Sequence, residues 1–487
     1  MNYVLKELKP SLVWKYFEDI CQVPRPSKKE EKIRAFLVDF AKAHNLSYEM
    51  DDIGNVIIRK PATPGMEKKK SVVLQSHMDM VCEKNADKVH DFDHDPIEPI
   101  IDGEWVRANQ TTLGADDGIG VATELAILTD PDIQHGPIEC LFTVDEETGL
   151  TGAFELAPGF IKSKILLNLD SEDEGELFIG CAGGVDTLAT FETKYNGRPV
   201  NHLAYSLSVT GLKGGHSGDE IHKGLGNSIK ILNRFLWNCH QKYKIRIAHF
   251  EGGNLRNAIP REAFATITIR PKDVPEFERY FEEFKAEAVK DLSLVEPGFT
   301  MAMEKVEKPG QVIDRGTQHR LLNALYACPH GVIAMSQSMK GMVETSTNLA
   351  SVKFLDDNRI LVTTSQRSDA TFGKYDVASM VESVFTLAGA EVTHTDGYPG
   401  WKPNPNSEIK DITVAAYEKL FGETPIVRSI HAGLECGLIL EKYPDMDMIS
   451  YGPTLRMVHS PEEKIHIGTV AKFWDLTKEV LLTIPEA

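Results

Sequence analysis

The stretch Ser71-Val-Val-Leu-Gln-Ser-His77-Met-Asp79 is an apolar run that closes on a histidine and, two residues later, an aspartate. Such a run suits a buried strand, and in an open α/β sheet the carboxyl ends of the strands form the natural ligand crevice. Working outward, strands at 55–59, 138–144 and 164–169 alternate with helical patterns, including a helix from about Gly118 to Leu128. Upstream, Ser27-Lys-Lys-Glu30 has capping-box spacing. Ile33, Phe36, Leu37 and Phe40 then recur at i, i+3, i+4 and i+7, which predicts a helix opening there. This rhythm predicts an α/β fold with a mixed sheet between helices.

From about 186 the patterning changes. Strands at 203–209, 263–270 and 360–365 alternate apolar with polar residues, as one-sided sheets do. The order strand 203–209, helix 222–243, strand 244–249, strand 263–270, helix 274–290, strand 299–306 is the split β-α-β order of a ferredoxin-like unit. A helix near 317–327, strands near 351–355 and 360–366, a helix at 376–389 and a strand at 390–396 suggest a degenerate second copy. After Asn404-Pro405-Asn406 the first style returns, with a helix around 408–420, strands at 425–430 and 446–451, and a final helix at 468–483. The expected organisation is one catalytic domain over 1–185 and 400–487, interrupted by an α+β lid domain over 186–399.

With 487 residues and 42% hydrophobic content, the chain can bury substantial cores. Its formal net charge of -19, from 72 acidic against 53 basic residues, argues against nucleic acid or anionic membrane as a partner. The first twenty residues carry charges every few positions, unlike a signal peptide, and no stretch approaches 18 uncharged apolar residues, so a cytoplasmic location is expected. Seven scattered cysteines without a C-x-x-C pair argue against both a disulfide framework and a thiolate zinc site.

Four apolar segments end in metal-compatible residues. His77-x-Asp79 alone is a weak signal, since a single imidazole is more often structural. Leu113-Gly-Ala-Asp116-Asp117-Gly-Ile-Gly120 sets adjacent acids between glycines before a helix, where Asp117 can serve as a cap and complement the dipole. Asp145-Glu146-Glu147 follows one strand and Asp170 another. Like charges converging in one crevice repel steeply at low dielectric, so the cluster calls for a compensating cation. Carboxylates with imidazole and no thiolate match zinc, manganese or cobalt in a hydrolytic pair, with zinc favoured. His459, in Val458-His-Ser-Pro-Glu462, is the candidate second imidazole; His90 and His94 lie in an acidic loop, and His240 and His249 in the insert.

These residues resemble the acylase and carboxypeptidase group of two-zinc metallopeptidases and, within it, the aminoacyl-histidine dipeptidases. The likeness covers nearly the whole chain. It rests on SHMDMV at 76–81, LGADDGIG at 113–120, DEETG at 145–149, NLDSEDEGELFIGCAGG at 168–184, GGHSG at 214–218, HAGLECG at 431–437 and VHSPEE at 458–463. The resemblance implies that His77 and Asp170 bind one zinc and Glu147 and His459 the other. It also implies that Asp116 bridges the pair, Asp79 orients His77, and Glu146 is the general base. It implies an oxyanion role for His216, commonly worth on the order of 2.7–4 kcal/mol for one donor. Arg367 would grip the substrate's terminal carboxylate, Asn257 would touch substrate, and Gly433 would leave room for its close approach.

The implied reaction is hydrolysis of the peptide bond in dipeptides, Xaa-His and β-Ala-His included, by a homodimer holding two zinc ions per chain, with cobalt or manganese as substitutes. A deacylase or carboxypeptidase of the same group would share the metal core. A non-catalytic zinc-binding scaffold would predict loss of the base or of a ligand, and all are present.

Overall fold

The computed structural model of the chain describes residues 3–197 and 199–487. It divides into two compact units, one of residues 1–180, 403–429 and 434–487, the other of residues 181–402 and 430–433.

The first unit is built on an eight-stranded sheet. Its order is Ser47–Met50, Val56–Lys60, Ile138–Thr143, Val72–His77, Ile165–Asn168, Asp447–Ser450, Glu176–Cys181 and Ile426–Ile430. Val72–His77 runs parallel to Ile138–Thr143, with His77 opposite Thr143, and parallel to Ile165–Asn168, with Gln75 opposite Asn168. Asp447–Ser450 continues the parallel block, while Val56–Lys60 pairs antiparallel, so the sheet is mixed. Every residue of Val72–His77, Ile138–Thr143 and Ile165–Asn168 is buried, which is why these strands show no alternation of apolar and polar residues; each opens apolar and carries buried polar residues such as Gln75, Thr143 and Asn168 near its end. Because the strands are parallel, His77 and the loops that begin after Thr143 and Asn168 fall at one edge.

Helix Ala115–Thr129 packs on Val72–His77 and on helix Ser11–Cys21. Asp116 and Asp117 have non-helical backbone, and Asp117 Oδ1 accepts from the Gly120 amide at 3.1 Å, so the regular helix starts at Gly118 with Asp117 as its cap. The capping box expected at Ser27 does not form. The helix runs Glu31–Ala43; the Ser27 hydroxyl donates to Asp79 Oδ2 at 2.8 Å, and Glu30 Oε1 accepts from the Lys28 and Asp145 amides. Both side chains serve the segments around His77 and Glu146 instead of their own helix. A separate small sheet joins Pro99–Asp102, Trp105–Ala108, Lys464–His466 and Leu455–Arg456. Its last two strands form a hairpin with Arg456 opposite Lys464, and the turn between them carries His459.

The second unit holds one nine-stranded sheet. Leu203–Thr210, helix Ser228–Tyr243, Arg246–Gly252, Ala263–Ile269, helix Val274–Leu292 and Thr300–Val306 place their strands in the antiparallel order 4-1-3-2 of a ferredoxin-like unit. The helix expected from 222 starts later, where the Asn227 side chain accepts from the Lys230 amide as an N-cap. The second copy is real and complete. Gly183–Glu192, helix Arg315–Ala327, Val343–Phe354, Arg359–Ser368, helix Thr371–Leu387 and Glu391–His394 have the same strand order, with the first copy inserted after their first strand. Phe235, fully buried, packs its ring on Phe277, Phe281 and Phe284 at centroid distances of 5.3–5.8 Å and anchors the two helices of the first copy to each other. Among the described residues, no helix is long and apolar enough to cross a membrane.

Candidate functional site

In the first unit the strand ends bring His77, Asp79, Asp116, Glu146, Glu147, Asp170 and the hairpin residue His459 together. His77 Nε2 lies 3.0 Å from Asp116 Oδ1 and 3.6 Å from Asp170 Oδ1. His459 Nε2 lies 3.0 Å from Asp116 Oδ2 and 3.0 Å from Glu147 Oε2. Each oxygen of Asp116 thus faces a different imidazole. Asp79 places Oδ1 3.4 Å from His77 Nδ1 and accepts from the Glu146 and Glu147 amides at 3.0 and 3.3 Å. One buried carboxylate therefore holds both the histidine strand and the turn that presents the glutamates.

The donor set fits divalent cations. Potential ligand atoms of His77, Asp116 and Asp170, of Asp116, Glu147 and His459, and of His77, Glu146 and Glu147 lie within 4.8 Å of one another in each group, and Glu147 Oε1 is buried with no hydrogen-bond partner. Burial, reinforced by the neighbouring acids, pushes Asp170 up to about 7 and Glu172 up to about 8, with nearby imidazoles opposing. Burial works against the charged form of His459, yet Asp116 and Glu147 lift it to about 11. Acids that resist ionising and imidazoles that cling to protons mark a site that lacks positive charge of its own. A fourth group, Glu30, Asp79 and Asp145, is equally close, but it is satisfied within the protein: Asp145 accepts from the hydroxyls of Thr148 and Thr151, and Glu30 accepts from two amides.

Two supporting residues escaped the sequence reading. Glu463, four residues after His459, accepts from the amides of Leu113, Gly114, Ala115 and Asp116 at 2.7, 3.0, 2.8 and 3.4 Å, so one hairpin turn both supplies His459 and holds the Asp116 loop. Arg25 donates to the carbonyls of Met78, Asp79 and Gly114 and ties the segment after His77 to the same Asp116 loop. The Pro24-Arg-Pro26 sequence and the tandem Glu462-Glu463 were the available signals.

His216, Asn257, Arg367 and Gly433 belong to the second unit. His216 Nδ1 accepts from the Asp219 amide at 3.2 Å, and burial together with Arg367 holds its pKa below the usual imidazole value. The neutral ring then carries its proton on Nε2, as an N–H donor. The Asn257 carbonyl accepts from the Ser217 amide at 2.8 Å, and the residue is exposed. Arg367, expected at a strand end where arginines are usually solvated, is only 8% exposed; Nη1 donates to the Tyr398 hydroxyl at 3.1 Å and Nε is buried without a partner. Gly433 makes room for the protein itself: a Cβ there would stand 2.9 Å from the Tyr398 ring. Tyr398 therefore unites two of the expected substrate contacts, with no motif to announce it.

Beside Arg367 in register, Ser346 shares a 2.8 Å hydrogen bond with His431 Nε2. Burial, then Arg367 and His216, holds His431 down to about 3. The unfolded chain takes up a proton near pH 6.5 that the folded one refuses until about pH 3, so stability falls as pH drops through that window, by up to about 1.4 kcal/mol per pH unit. Urea unfolding followed from pH 7 to 4 is expected to show this acid loss, and His431→Gln is expected to flatten it. Superimposable acid limbs for the two proteins would refute the assignment.

Residues 73–483 match the model of peptidase family M20/M25/M40. The chain belongs to this family. It is 44% identical over 481 residues to the cytosol non-specific dipeptidase of Escherichia coli strain K12, covering 99% of each chain. The crystal structure of the aminoacylhistidine dipeptidase of Vibrio alginolyticus superposes with a TM-score of 0.90 at 46% identity, over 100% of this chain and 99% of that one. The aminopeptidase PepT of Bacillus cereus shares the fold, with a TM-score of 0.56 at 17% identity over 97% and 98% of the two chains.

Proposed function

We propose that this peptidase hydrolyses the peptide bond of dipeptides, Xaa-His and β-Ala-His among them, at a two-zinc centre. The observation that carries the reading is the division of Asp116, one carboxylate oxygen facing each imidazole at 3.0 Å. His77 and Asp170 would hold one ion, Glu147 and His459 the other, with Asp116 bridging and Asp79 fixing the His77 ring. Cobalt or manganese would substitute. When bound, the ions supply Lewis acidity to the scissile carbonyl and to the attacking water.

Glu146 takes the proton of the attacking water and passes it to the leaving amine. His216 offers its Nε2 proton to the developing oxyanion, and Arg367 offers its fork to the substrate's terminal carboxylate. Asn257 and the backbone of Gly433 complete the proposed substrate contacts, the room for a side chain at 433 being taken by the Tyr398 ring. The two dipeptidase relatives support this substrate class over acylated amino acids, and a cytoplasmic homodimer is the setting we infer. Rates on β-Ala-His, Leu-His and N-acetyl amino acids, measured on chelated protein before and after zinc return, test the proposal. Zinc-dependent cleavage of the dipeptides is expected. Preference for the acetylated set would make the enzyme a deacylase, and no zinc-dependent turnover of any of them would leave a scaffold.

A further inference from the structure

Directly beneath the donors, a row of buried polar side chains crosses the parallel block of the first unit. Ser171 and Ser450 share a hydroxyl contact of 2.6 Å, Ser450 donates to Asn168 Oδ1 at 2.5 Å, and Asn168 Nδ2 donates to Gln75 Oε1 at 2.6 Å. Gln75 Nε2 donates to Glu435 Oε2 at 2.6 Å, and Thr143 Oγ1 donates to the same oxygen at 2.7 Å. Gln75, Thr143, Asn168, Ser450 and Glu435 are all fully buried.

Each bond fixes the next. Ser450 already donates to Asn168, so Ser171 must donate to Ser450. The Asn168 amide is oriented by Ser450, the Gln75 amide by Asn168, and every donor points toward one terminus. That terminus has to present an oxygen that accepts from both Gln75 and Thr143, and Glu435 Oε2 does so. The row is also in register with the candidate ligands. Gln75 and Ser450 both lie opposite Asn168, and Thr143 lies opposite His77. Gln75 precedes His77 by two residues, on the same strand face, and Asn168 precedes Asp170 by two. Apolar side chains would pack these strands at no hydration cost, whereas a fully connected polar row admits one arrangement.

We propose that Glu435 is a positioning residue: its carboxylate terminates this one-directional row and thereby sets the spacing of the strand ends that present His77, Glu146, Glu147 and Asp170. The proposal rests on the two-metal reading of the site. It does not place Glu435 on the ions or on the substrate.

Zinc titration of the chelated full-length protein against a chromophoric chelator tests it without recourse to activity. Glu435→Leu is expected to weaken zinc binding by roughly 10–100-fold, the range for partners that orient metal ligands. Glu435→Gln keeps an oxygen for both Gln75 and Thr143 and is expected to stay within about threefold of the parent. A residue needed only for folding would lower the melting temperature of both variants without separating their zinc affinities. Thr143→Val, nearly isosteric, removes the donation to Glu435 and the longer 3.3 Å contact accepted from Gln75, and is expected to weaken binding in the same direction; it decides the matter should Glu435→Leu fail to fold. Parental affinity in Glu435→Leu or Thr143→Val would overturn the proposal, as would a loss in Glu435→Gln equal to that in Glu435→Leu. A parent protein that binds no zinc would instead overturn the two-metal reading.

Discussion

Glu146→Gln is expected to lower kcat by about 10²–10⁴-fold while the metal content of the enzyme stays at the parental level. Two roles are open to this side chain on geometry, because its carboxylate shares a donor cluster with His77 and Glu147 and so lies within reach of a ligand position. The proposed role is the base. Burial pushes its carboxyl well above the usual carboxylate range, His77 opposes, and Asp170, Glu147 and Glu435 add to the rise. Glu147 and Asp170, the proposed ligands, are raised by burial as well, so the rise belongs to the whole buried cluster and the substitution is what separates the roles. Its backbone is held by Asp79, so the amide variant keeps the turn and loses only the capacity to accept the proton. Steady-state rates and elemental analysis on the same preparation separate the roles. Loss of one ion on substitution would make Glu146 a ligand, and undiminished kcat would remove it from the mechanism.

The parts of the site legible in the sequence were those written by strand ends. His77 and Asp170 each follow an apolar run short enough to be a strand, and acids are too costly at the buried edge of a parallel sheet to be there without compensation. Asp117 was legible as a cap because the glycines around it leave a helix start as the simplest reading. What stayed hidden depends on partners distant in the chain. Glu463 is an ordinary acid after a proline until four amides from residues 113–116 converge on it. Ser27 and Glu30 have the spacing of a capping box, and only the approach of Asp79 and Asp145 shows that their hydrogen bonds are spent elsewhere. The second ferredoxin-like copy lacked a first strand in sequence order because Gly183–Glu192 stands ahead of the entire first copy. Gly433 was read as space for substrate, and a glycine alone cannot say that a tyrosine at 398 fills it.

Asp116→Asn is expected to reduce bound metal from roughly two ions per chain to one or fewer and to cost at least ~10³-fold in kcat/KM, since a cation at such a centre is worth several kcal/mol in the transition state. The imidazoles of His459 and His77 hold the Asp116 carboxyl well below the usual range, although burial alone would raise it. An amide of the same shape can offer an oxygen to only one of the two positions; the other receives an N–H₂ group, which neither ligates a cation nor accepts from an imidazole. The adjacent acid is the natural control. Asp117 Oδ1 caps the helix at Gly120, so Asp117→Asn is expected to keep both ions and to cost about 1 kcal/mol of stability at most. Two residues neighbouring in sequence would thus separate into the proposed bridge and a cap by which way their carboxylates face. Elemental analysis and thermal unfolding of both variants would expose a reversed assignment directly: full metal content in Asp116→Asn with depletion in Asp117→Asn would move the bridge to the second acid.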